Sequence, residues 1–309
     1  MALVQTPLLV NGAIHPAQSW RLMIRDLARG NEGVGSGGDL KVTALPVAGT
    51  RVRIGDGSCI VQGRTSPWQG HYSAYNIGAY DVDIASTGSS ARSDLVCVEV
   101  LDPEYGGGRN PAIDPTVQFT VVSNVANTAT TPPPGMSAIA LARIDLPAGT
   151  AAVTADMVRD VRAMANPRRE RRLLPLVGFP YDPISDTGGV WQNWPNNAQW
   201  QLAVPRWATS VNLVTTLAGL RLSGGNVFAD MRHSLGAMVG VSAQIDDDGG
   251  TGFRRAQHVI VDVLPVPEEI RGTTQPLRLQ TAVYPDPGAV DTNSATSVIL
   301  DVEWVEGLL

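Results

Sequence analysis

The sequence predicts a mostly β protein, with an N-terminal antiparallel β domain carrying two short helices and a C-terminal jelly-roll-like β-sandwich. Three observations predict it. Glycine and proline are frequent, 32 and 22 of 309 residues. Apolar runs are short, alternate with polar residues or are β-branched, and are closed by Gly, Pro, Asn or Asp, as in antiparallel sheets. Only two stretches space their apolar residues for a helix face. A length of 309 residues favours two domains, and a 43% hydrophobic content supplies a core for each.

The elements follow in chain order. Pro16 to Arg29 is the first helix, because Trp20, Met23, Ile24 and Leu27 recur at helical spacing and Gly30 suits the stop. Residues 31–38 are glycine-rich and read as a flexible loop. Val52 and Ile54 alternate with Arg51 and Arg53, and Tyr80, Val82 and Ile84 alternate with Asp81 and Asp83. Leu95 to Leu101 is nearly all apolar and reads as a central strand. Val117 to Val122 and Ile139 to Leu146 complete the set, with polar or Pro-rich insertions at 102–116 and 123–135. The second helix is expected over Ala155 to Ala165, with Thr154 as its N-cap and Met157, Val158 and Val161 as its stripe.

The run Asn166-Pro167-Arg168-Arg169-Glu170-Arg171-Arg172 marks the boundary. Proline and like charges after a helix make linker chemistry. The expected division is a first domain over 1–166, an Arg-rich linker over 167–175 and a sandwich over 176–309. The run is either a hydrated linker or a basic collar for an acidic neighbour. Beyond it, candidate strands run over Ser210 to Leu217, Met238 to Ile245, His258 to Leu264, Leu277 to Val283 and Ser297 to Val305.

Charge and composition exclude several functions. A net charge of −6 and a pI near 5.2 argue against a nucleic-acid binder. No apolar run approaches the ~18 residues of a membrane span. Met1 to Val10 lacks a basic start and a small-residue cleavage site, so it reads as part of the fold. Cys59 and Cys97 sit within apolar runs and read as buried free thiols, in keeping with assembly in a reducing cytoplasm.

The search for chemistry finds no catalytic motif. His15, His71, His233 and His258 show no metal-ligand spacing, and there is no nucleophile elbow or phosphate loop. Asp81 and Asp83 share one strand face and read as solvated. Asp246, Asp247 and Asp248 stand before two glycines, either as a hydrated hairpin turn or as oxygen ligands for Ca²⁺. No other cofactor is indicated. Four of the seven tryptophans fall within 191–207. Trp200 and Trp207 flank strand residues and are expected inward. Trp191 and Trp194 lie among Gly, Asn and Pro, either packed in a core or subunit contact or stacking on a sugar ring.

The order of these pieces resembles the tail-fibre and baseplate proteins of siphophages. The residues that carry it are Val52 to Gly63, then Arg92-Ser93-Asp94-Leu95-Val96, Leu141-Ala142-Arg143-Ile144, Gly149 to Thr154 and Asp160-Val161-Arg162. The second domain resembles the C-terminal sandwich of minor tail proteins from phages of actinobacteria, through Val204 to Ala208, Ile270-Arg271-Gly272 and the closing Val298 to Trp304 strand. One lysine, Lys41, against 22 arginines fits a high-GC host. Cys59, where the pattern prefers Ala, and the 102–116 insertion depart from it. The resemblance implies a structural, non-enzymatic virion protein of the tail tip or baseplate. It further implies a homotrimer and other tail-tip proteins as partners; if the second domain meets a host wall glycan, the loop residues Trp191, Trp194 and Asp246 to Asp248 are the candidates for contact. The competing readings are a tail-associated glycan hydrolase using a carboxylate pair and a cellular carbohydrate-binding module.

Overall fold

The computed structural model describes residues 15–184, 188–285 and 288–309, so the expectation for Met1 to Val10 lies outside the described residues. It divides into two units, residues 1–167 with 308–309, and residues 168–307.

The first unit opens with α1 (Ala17–Leu27), the one expected helix that forms as such. Three antiparallel sheets follow. Strands β1 (Gly33–Val34), β4 (Gly57–Gln62) and β5 (His71–Asn76) order as β1-β4-β5. Strands β2 (Val42–Ala44), β3 (Arg51–Ile54) and β6 (Tyr80–Asp83) order as β2-β3-β6. The largest sheet orders β10 (Val158–Asp160), β9 (Ala138–Leu146), β7 (Arg92–Val100) and β8 (Val117–Val125) as β10-β9-β7-β8. Leu40, Val52, Ile54, Val61, Val96, Leu141 and Ile144 belong to one buried cluster. Leu95, Cys97, Ala138 and Ala140 form a second. Strand β7 therefore buries both faces, as its unbroken apolar run predicts.

Two expectations for this unit fail. The glycine-rich segment is not a free loop: Gly33 and Val34 pair with Ile60 and Cys59. Gly33 adopts φ +134°, and a Cβ there would stand 2.2 Å from the Ala163 carbonyl oxygen, so glycine is needed for close packing rather than for flexibility. The second helix is replaced by a single 3₁₀ turn over Ala155–Met157, and Val158–Asp160 adds to the free edge of β9. Thr154 bonds the Asp156 side chain and caps no backbone group. A β-branched valine beside an unpaired strand edge gains more from the ladder than from one helical turn.

The second unit is a jelly roll. Its main strands are β11 (Arg169–Val177), β14 (Gln199–Ala203), β15 (Ser210–Ser223), β16 (Val227–Leu235), β18 (Ala243–Asp247), β19 (Arg254–Pro265), β20 (Thr274–Val283) and β22 (Ser297–Val305). One sheet orders β11-β22-β15-β19 and the other β14-β20-β16-β18. Every connection crosses between sheets except the β16–β18 hairpin, which is the double Greek key of a jelly roll. Short strands β12 (Asp182–Pro183), β13 (Gln192–Asn193), β17 (Met238–Val239) and β21 (Ala289–Thr292) extend the sheets. Leu213, Leu217, Leu300 and Val302 from one sheet meet Met231, Leu277 and Leu279 from the other in the core.

The Arg-rich linker expected over 167–175 is a correction. Arg169–Val177 is the first jelly-roll strand, paired residue for residue with β22. Leu174 and Leu176 turn to the core and the arginines meet carboxylates. Arg168 bonds Glu306, Arg169 faces Glu303, and Arg171 pairs with Asp301. The run is neither a hydrated linker nor a free basic collar, because its own unit supplies its counter-charges. The short-range charge pattern masked a strand whose partner lies ~130 positions away in sequence, where single-strand periodicity carries little signal.

Candidate functional site

The expected site residues scatter over the second unit. Trp194 is 1% exposed and lies in the core, its indole N–H donating to the Asp182 carbonyl at 3.1 Å. Its backbone N–H bonds the Leu279 carbonyl, so the Asn- and Pro-rich segment is held against β20. Of the two alternatives for Trp194, this position fits packing in a core and leaves no ring face for a sugar. Trp191 is half-buried, with the Arg232 guanidinium 4.0 Å from its ring centre, a cation–π stack. Trp200 is buried, and Trp207 packs on the core beneath Arg168.

The acidic triplet does not act as one cluster. Asp246 lies on β18 opposite Phe228. Asp247 turns to the other side, accepting from Arg254 and the Gly249 N–H at 2.7 Å each. Asp248 is exposed. Among the described residues no group of three or more ligating side chains could hold a metal ion. Asp81 and Asp83, read as solvated, cross the strand to Arg53 and Arg51 at 2.8 and 2.6 Å. Arg53 holds the Asp81 carboxyl below its usual range by hydrogen bond and charge. Cys59 and Cys97 are free and buried, and burial pushes both thiols up to about 12.

Sequence reasoning missed one chemical constellation. His233 Nδ1 stands 2.6 Å from the Asp262 carboxylate and Nε2 stands 2.7 Å from the Thr215 hydroxyl. The carboxylate accepts from Nδ1–H, and in the neutral ring Nε2 then accepts from the Thr215 hydroxyl. Hydroxyl, imidazole and carboxylate thus stand in the order of an acyl-transfer triad. Thr215 and His233 are 0% exposed and Asp262 is 4%. No substrate reaches Thr215 in this fold, and the triad instead ties the two sheets together through satisfied polar groups. The three residues sit on three strands, and only the inward phase of their alternation marks them in the sequence.

The outer faces of the two sheets supply the other missed feature. On the first sheet the outward positions run across the strands from Leu173 and Ile299 through Val214 to Val259, Val261 and Val263. The last three are 45%, 56% and 70% exposed. Charges within this face, Asp301 and Glu303, are already engaged by Arg171 and Arg169. Four strands ~4.8 Å apart and five outward rows ~6.6 Å apart make a face of roughly 600 Å². Each partner in a standard interface gives ~800 Å².

No family model and no curated protein sequence matches the chain. Among solved structures it is similar to the infectious bursal disease virus VP2 subviral particle, at 12% identity over 90% of this chain and 74% of that one, with a TM-score of 0.28. It is also similar to the protein of the T13 particle of that virus, at 12% identity over 94% and 81%, TM-score 0.26. An insecticidal delta-endotoxin, Cry8Ea1 of Bacillus thuringiensis, aligns at 8% identity over 90% and 52%, TM-score 0.24. At such TM-scores the likeness carries no functional argument.

Proposed function

We propose that this chain is a structural, non-enzymatic virion component that works by assembling, and that it serves in a siphophage tail tip or baseplate as a homotrimer. The observation that carries the assembly role is the apolar outer face of the first jelly-roll sheet. A sandwich needs its inner faces apolar and gains nothing from an apolar outside, and exposed Leu173, Ile299, Val259, Val261 and Val263 gathered on one face favour a contact surface. The tail assignment rests on the order of sequence motifs from Val52 to Arg162 and from Val204 to Trp304. The Thr215–His233–Asp262 set, although in the order of an acyl-transfer triad, is sealed from solvent and is read as structural.

In this reading the apolar face meets other subunits. The polar sheet, with Trp191 and Asp246, faces outward and takes any contact with host wall glycan. Light scattering on the full chain at micromolar concentration should give three times 32.7 kDa. A monomer at every concentration up to the solubility limit would remove the assembly role. New reducing ends from host wall polysaccharide, lost on one Asp or Glu substitution, would replace this reading with the hydrolase.

A further inference from the structure

The first unit contains a cleft that this chain's described strands leave unfilled. It runs between β5, the last strand of the β1-β4-β5 sheet, and β8, the last strand of the β10-β9-β7-β8 sheet. Two cavities of about 470 and 480 Å³ lie end to end along it. Ala74, Tyr75 and Asn76 wall one and His71, Tyr72 and Ser73 the other, with Val117 of β8 in both. Leu40, Cys59 and Val98 make an apolar floor.

Both strands lack a ladder partner on the cleft side among the described residues, and α1 closes the upper cavity through Ala17, Trp20, Arg21 and Ile24. The Gly63 N–H bonds the Gly70 carbonyl, which sets the phase of the β4–β5 ladder. Antiparallel alternation then points the backbone groups of His71, Ser73 and Tyr75 away from β4, toward the cleft. The Leu101 N–H bonds the Thr116 carbonyl, and the same alternation points those of Val117 and Phe119 away from β7. His71, which lines the upper cavity, is 2% exposed, and neither ring nitrogen has a hydrogen-bond partner among the described residues. A buried imidazole left so pays for its lost water, and a polar group entering the cleft would relieve it.

Charge selects the occupant. No residue lining the lower cavity is charged. The upper one carries one cation and two carboxylates: Arg21 bonds Glu104 at 2.6 Å and stands 3.3 Å from Asp102, which leaves an excess negative charge. An acidic side chain entering the upper cavity would meet that excess negative charge, and any charged side chain entering the lower one would lose its water and find no counter-charge. We propose that the cleft binds an extended, uncharged peptide strand of a partner protein, apolar at alternate positions. The strand lies antiparallel to both β5 and β8 and joins the two sheets into one. Backbone pairing on both sides supplies affinity, and the apolar floor selects every second side chain.

The test uses the full chain and a capped hexapeptide alternating threonine and valine. Controls are the same peptide with alternate amides N-methylated, and one with glutamate in place of valine. Titration calorimetry should show binding of the parent and at least tenfold weaker binding of both controls. Amide exchange at His71, Ser73, Tyr75, Val117 and Phe119 should slow when the parent binds. Ser73→Pro removes an edge N–H that bonds nothing in the unit, so it should abolish binding with an unchanged melting temperature. Absence of binding, or equal binding of the N-methylated peptide, overturns the proposal. So does slow exchange at these amides without peptide: if independent of concentration it assigns the cleft to the chain's own segment, and if it rises with concentration, to a second copy.

Discussion

The two sheets of the jelly roll share one core and differ in how many apolar residues they turn outward. On β14-β20-β16-β18 the outward residues include Gln199, Gln201, Arg278, Gln280, Asp230, Arg232 and Ser234. On β11-β22-β15-β19 they include Leu173, Ile299, Val214, Val259, Val261 and Val263. The same burial alternation operates on both sheets, so folding alone does not ask for the difference. An antiparallel sandwich ordinarily alternates apolar-in with polar-out on each sheet. In the proposed assembly the contrast would separate the sheet that meets other subunits from the sheet left to solvent and ligand.

The largest expected effect comes from charging the two faces in turn. Val261→Lys together with Val263→Lys should reduce the mass in light scattering to that of the 32.7 kDa monomer. Gln280→Lys on the polar sheet should leave the mass unchanged. Because both valines point outward, the monomer should keep its melting temperature within a few degrees. An oligomer that survives the double substitution breaks the contrast between the sheets.

A second pair sharpens the boundary between inside and outside. Trp194 lies between the sheets, whereas Trp191 lies on the polar outer side against Arg232. Trp194→Ala should cost ~3–5 kcal/mol in urea unfolding, the range for a buried aromatic. Trp191→Ala should cost ~1 kcal/mol, the worth of an exposed cation–π contact with a little packing. Only Trp191→Ala is then a fair probe of host adsorption. Equal costs would mean that Trp191 belongs to the core as well.

What the sequence shows of all this follows from the range of the interactions involved. Strands with a clear alternating or apolar pattern, such as Leu95 to Val100 and Ser297 to Val305, are legible because periodicity is local. The jelly-roll-like sandwich is legible from strand spacing. The Arg169–Val177 strand is not, because its stabilising carboxylates lie on β22. The Ala155–Ala165 helix fails for the same reason, since the free edge of β9 is invisible from Val158. Trp194 and Trp191 share one composition, and only the pairing with β20 sorts them. The cleft between β5 and β8 is legible only once strand partners are known.

The ion pair at the start of β11 tests whether the Arg run belongs to the apolar sheet. Glu306 is buried, which by itself raises its carboxyl, but hydrogen bonds and charge from Arg168 outweigh this and hold it below its ordinary value. A carboxyl lowered in the folded state adds stability above its unfolded value and loses it as the pH falls through the folded one. Wild-type stability should therefore drop by ~1–2 kcal/mol on acidification below pH ~5 from this pair. Glu306→Gln should be less stable at neutral pH and flatter over that window. The same pairing should protect Arg169 and Arg171 from trypsin under native conditions. Early cleavage there would return the segment to linker status and remove the edge strand of the apolar sheet.

The smallest effect is expected at the acidic triplet on the polar sheet. Calcium sites need six to eight oxygens converging on one point. Here strand alternation sends Asp246 and Asp247 to opposite sides, and Arg254 occupies one Asp247 oxygen at 2.7 Å. A cation would have to displace that guanidinium, already held by the Gly250 and Gly225 carbonyls at 2.8 and 2.7 Å. Millimolar Ca²⁺ should therefore shift the melting temperature by no more than the same concentration of Mg²⁺, by screening alone. Asp247→Asn should lower stability slightly through the lost Arg254 pair, equally with and without Ca²⁺. A Ca²⁺-specific rise of several degrees, abolished by Asp246→Asn or Asp248→Asn, would show that the turn rearranges around the ion. The polar sheet would then carry a built ligand site of its own, and its contrast with the apolar sheet would be one of two binding faces.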